Sequence, residues 1–93
     1  MVVFGSTILK KLINGNGTSI GANCAEAKSA QSTKDFISKY EIAQTESNEF
    51  LYWCEVFVEA ELVKPEKFAL LIQEIIEIKK ILAASIRKLK TKL

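Results

Sequence analysis

Apolar and small residues recur at alternating four- and three-residue spacing through the middle of the chain: Phe36, Tyr40, Ala43, Ser47, Phe50, Cys54 and Phe57. That is a heptad stripe, and it predicts a helix over 33–62, about 45 Å long at the α-helical rise. A second stripe, Ile42, Trp53, Val56 and Ala60, lies to one side of the first, so the helix has two apolar flanks to cover. Its start is signalled by Ser32, a hydroxyl followed three residues on by Asp35. A third segment repeats the pattern as Phe68, Leu71, Ile75, Ile78, Leu82, Ser85 and Leu89, widened by Ile72, Ile76 and Ile86. It predicts a helix over 65–91, with Pro65 in the first turn and Glu66 complementing the dipole. Two helices of similar length joined by so short a connection form an antiparallel hairpin.

The residues upstream are less regular. Ile8, Leu9, Leu12 and Ile13 share one helical face, and Asn14-Gly-Asn-Gly17 then breaks the pattern as a turn or a helix C-cap. Flanking strands would make it a hairpin, but nothing after it alternates with period two. Thr18 or Ser19 can restart a helix as N-cap. One kinked helix over about residues 6–30 is favoured over two short ones. Gly17, Gly21 and Ala25 fall four apart, a stripe of tiny side chains along which another backbone can come close. A glycine in a helix interior costs roughly 1 kcal/mol relative to alanine, and tight packing is the usual compensation. The expected fold is all-α: an up-down helical bundle with helices over about 6–30, 33–62 and 65–91, a single domain spanning 1–93.

Composition sharpens this picture in two ways. At 93 residues the chain buries only a thin core, yet 48% of it is hydrophobic. Part of that apolar surface is expected to be covered by other subunits. The net charge of +2 is unevenly spread. Residues 1–40 carry +3, residues 41–77 carry nine Glu against Lys64 and Lys67, and residues 78–93 carry six cations with no acid. The first apolar stretch is too short for a secretory signal or a membrane span, and a cytoplasmic protein is expected.

The chemistry on offer is sparse. With no histidine, Ser-His-Asp triads and histidine metal sites are excluded. Cys24 and Cys54 stand alone within helical patterns and read as buried reduced thiols. Glu46, Glu49, Glu55, Glu59, Glu74 and Glu77 lack the Glu-x-x-His partners of a di-iron bundle and read as a solvated acidic face. No catalytic, cofactor-binding or metal-ligating residue is therefore expected, and no small-molecule substrate. Lys79, Lys80, Arg87, Lys88, Lys90 and Lys92 are open to two readings. They complement the dipole of a helix C-terminus, or they form a cationic patch for RNA or DNA phosphate. Tyr52 and Trp53 read either as core packing or as an anchor between subunits.

Several of these residues also carry a resemblance. Gly17-Thr-Ser-Ile-Gly-Ala-Asn23, Glu26-Ala27, Ala30-Gln-Ser-x-Lys-Asp-Phe-Ile37, Ile42-Ala43, Glu46 and Tyr52-Trp53 resemble the four helix bundle protein family. Its members were first noted as reading frames in intervening sequences of bacterial 23S rRNA genes. The resemblance runs from about Leu12 to the C-terminus. It implies an up-down bundle that assembles as a homo-oligomer, typically a pentamer, in a family with no established catalytic activity. It also implies kinship with accessory proteins of diversity-generating retroelements, which bind nucleic acid through a basic surface and contact a reverse transcriptase. Family members have a full amphipathic helix ahead of the segment that here begins near Thr7, where this chain has Met1–Ser6. The expected architecture is therefore an incomplete four-helix bundle, from a truncated chain or a lost first helix. Partly uncovered helix faces would favour association.

Overall fold

The computed structural model describes residues 18–93, and these contain three helices and no strands: α1, Thr18–Ala27; α2, Thr33–Glu59; and α3, Pro65–Lys90. The expected segment at Thr7–Ile13, the break at Asn14–Gly17 and the kink between them lie outside the described residues. α1 and α3 each pack along α2 and touch one another far less. α2 is thus the central element, as its two stripes require. The fold is elongated, 49 × 19 × 16 Å along its principal axes.

α2 starts where the sequence places it. Ser32 is extended, and its Oγ accepts a hydrogen bond from the Asp35 amide at 3.0 Å, satisfying one otherwise free donor of the first turn. The C-terminal end differs from expectation: the helix stops at Glu59, not at Leu62. The cause is Glu61, which adopts a left-handed backbone with φ of 59°. The Glu61 amide then reaches the Val58 carbonyl, and the Leu62 amide folds back onto the Phe57 carbonyl, both at 3.0 Å. This is a Schellman motif with glutamate where glycine is usual. Leu62 seals it by packing on the core. Lys64 is extended, as a residue before proline prefers, and α3 begins at Pro65 without a side-chain cap. α1 also ends earlier than expected, at Ala27: the amides of Lys28, Ser29 and Ala30 turn back three residues onto Ala25, Glu26 and Ala27.

The heptad stripe of α2 is the core. Ala43, Ser47, Phe50, Cys54 and Phe57 are buried, facing Ile20 of α1 and Phe68, Ile75 and Leu82 of α3. Ser47 is fully enclosed, and its hydroxyl donates to the Ala43 carbonyl at 2.8 Å, so no polar atom is left unpaired there. Burial pushes the Cys54 thiol up to about 11 and raises the half-buried Cys24 thiol as well. Both cysteines are free. Lys39 of α2 meets Glu26 of α1 at 2.9 Å, and that bond holds the Lys39 ammonium above its ordinary range.

Candidate functional site

The antiparallel arrangement brings the end of α3 beside the α1–α2 turn and the first turns of α2. Arg87, Lys88, Lys90 and Lys92 therefore share one end of the bundle with Lys28 and Lys34, and all six are exposed. Two adjoining clefts connect Lys28, Lys88 and Lys92. Lys28, Ser32 and Phe36 line one with Leu89, and Phe36 and Tyr40 line the other with Ser85, Lys88, Leu89 and Lys92. Of the acids nearby, Glu26 pairs with Lys39, and Glu41 pairs with Lys90 at 3.6 Å. Among the described residues Lys28, Lys34, Arg87, Lys88 and Lys92 form no ion pair, and residues 1–17 contain no acid. Lys28 and Lys34 are absent from the sequence-based set because charge counted along the chain assigns them to a distant segment.

Lys79 and Lys80 stand apart from that cluster. Lys80 lies about 15 Å along the helix from Lys90, at ten residues of α-helical rise. Both line a groove with Gln44, Ile76 and Ala83, and Lys80 faces Glu77 at 3.6 Å. The six cations expected to act as one patch thus divide into four at the basic end and two midway along α3. At the opposite end Glu55, Glu59, Glu61 and Glu66 are exposed with Lys64 and Lys67, so charge is segregated along the long axis. Glu49, Glu74 and Glu77 are also exposed, and Glu46 is half-buried.

The small-residue stripe does not act as a close-packing seam within the described residues. Gly21 and Ala25 are exposed, and a methyl group built on Gly21 meets no atom within 4 Å; Gly17 lies outside the described residues. Ile20 and Ala27 carry the burial of α1 instead. Core packing does not account for Tyr52 and Trp53 either, which are 59% and 43% exposed. Their rings meet edge-on with centroids 5.4 Å apart, and Trp53 also leans on Phe57 at 6.4 Å. Ile42, on the same flank as Trp53, is 41% exposed. No helix among the described residues is long and apolar enough to cross a membrane.

Comparison with known proteins agrees with this architecture. The family model for the 23S rRNA-intervening sequence protein matches residues 5–84, and the chain belongs to that family. A crystal structure of a protein of unknown function from the S23 ribosomal protein family of Bacteroides thetaiotaomicron is 43% identical to it. The match covers 83% of this chain and 69% of that one, with a TM-score of 0.78. No curated protein matches the chain.

Proposed function

We propose that this chain is a non-enzymatic bundle, built on a four-helix plan, that assembles with further copies of itself and meets nucleic-acid phosphate through its basic end. The observation that carries the proposal is the convergence of Lys28 and Lys34 with Arg87, Lys88 and Lys92, five exposed cations outside ion pairs at one end of a 49 Å molecule. Dipole complementation accounts for cations in the last turn of α3 and for Lys28 just past the end of α1, but not for Lys34, which sits in the first turn of α2. No base-reading motif accompanies the cluster, so binding is weakly sequence-specific and steeply salt-dependent. Neutralising four or five phosphates lowers affinity roughly a hundredfold or more between ~50 and ~200 mM salt. Changing Lys88, Lys90 and Lys92 to Glu should abolish retention on heparin and the shift of RNA or DNA in low salt. Unchanged retention rejects the nucleic-acid part.

A second reading is a protein-interaction module with a merely solvating basic end. Exposed Tyr52, Trp53 and Ile42 favour it, since aromatic residues anchor interfaces. It predicts association that persists in high salt and no shift of nucleic acid at any salt.

A further inference from the structure

We propose that the cleft formed by Phe36 and Tyr40 of α2 with Ser85, Lys88 and Leu89 of α3, and with Lys92 just beyond its end, takes an unpaired base of single-stranded nucleic acid. The inference rests on the nucleic-acid reading above and names its ligand class. Phe36 and Tyr40 begin the α2 stripe, one turn apart, with ring centroids 4.5 Å apart and planes inclined by 48°. They sit where α3 is ending, so Leu89 covers them only partly and both rings stay half-buried. The cleft leaves about 250 Å³ open to solvent. That is below the range of pockets for larger ligands, and it suits a single planar ring. Lys88 in the last turn of α3 and Lys92 in the turn that follows it are exposed and outside ion pairs. The Ser85 hydroxyl and the Tyr40 phenol are the neutral polar groups in the lining.

Aromatic faces beside lysines are the elements of single-strand recognition: rings hold a base by stacking while ammonium groups follow the phosphates. A duplex keeps its bases stacked on one another and cannot offer one to the cleft. Lys28, through the adjoining cleft that shares Phe36 and Leu89, extends the cationic track across the end of the bundle. Lys28, Lys34 and Lys90, outside the cleft, are insensitive to whether the strand carries bases; the Phe36–Tyr40 face is not.

The test is fluorescence anisotropy on the full chain with labelled oligothymidine of about twelve nucleotides, an abasic strand of equal length, and a duplex. Oligothymidine should bind about tenfold tighter than the abasic strand, in line with the contribution of one stacked base. Tyr40→Leu, which keeps an apolar side chain, should remove most of that gap, and Lys92→Gln should weaken both strands alike. Equal binding of oligothymidine and the abasic strand overturns this inference and leaves the phosphate reading standing. Absence of salt-dependent binding by all three probes overturns both. Where Tyr40→Leu melts early, Trp53→Leu decides the matter: the gap should survive that change, and its loss there would place the base at the exposed Tyr52–Trp53 pair and overturn the inference.

Discussion

Gly21 is where local chemistry and packing part company. A helical glycine spaced four residues from another glycine and from Ala25 reads as a seam, but its position on α1 is exposed and, among the described residues, no atom lies within 4 Å of where a methyl group would sit. Gly21→Ala should therefore raise stability by about 0.5–1 kcal/mol, by narrowing the unfolded ensemble and improving helix propensity. A chemical-denaturation midpoint that falls instead would mean another backbone approaches the site. Cys54 gives a second prediction at this scale. Its folded thiol is held up to about 11 by burial, whereas in the unfolded chain it ionises near its ordinary value of 9.0. The sign follows from which state keeps the proton. Below pH 9 both states are protonated and the contribution is fully present; between pH 9 and about 11 only the unfolded state ionises, and stability falls. The melting temperature should drop across that window, and Cys54→Ser should lessen the drop. Native Cys54 should also resist alkylation at neutral pH, since the thiolate is the nucleophile.

At the scale of elements, chain reversals were harder to read than the helices they join. The stripe from Phe36 to Phe57 and the Ser32 cap were legible because periodicity and capping are local properties, and burial follows them closely. Pro65 marked the start of α3 to the residue, for the same reason. The end of α2 was not legible, because its left-handed residue is Glu61, and the chain offers no glycine there as a signal. Glu61→Gly should remove the steric cost of that conformation and stabilise the fold by about 1 kcal/mol. For a domain of this size that corresponds to roughly 4–8 °C in melting temperature, measurable by circular dichroism. A decrease would show that the Glu61 side chain is itself held in place. The basic end was half legible for a related reason. Arg87 to Lys92 cluster in sequence, but Lys28 and Lys34 join them only through the reversal of the chain between α2 and α3, which no count along the sequence registers.

At the scale of the whole molecule, the central position of α2 leaves a question of coverage. α1 and α3 bury its heptad stripe, but the second stripe keeps Ile42 and Trp53 41% and 43% exposed in a chain that is 48% hydrophobic. Two large apolar side chains on one flank, three helical turns apart, are the start of a contact patch rather than scattered surface residues. Their removal should act on association without acting on the fold, because neither is part of the buried cluster. Ile42→Lys is the cleaner change, since Trp53 also supports Phe57. Sedimentation velocity at micromolar concentration should show an oligomer for the unaltered chain and a shift toward monomer for Ile42→Lys. Its denaturation midpoint in dilute solution should stay within about 0.5 kcal/mol of the original. A clean monomer before any substitution would remove the assembly part of the proposed function, while the basic end would keep its own test on heparin. High salt separates the two further: it weakens phosphate contacts steeply and leaves an apolar interface intact or stronger.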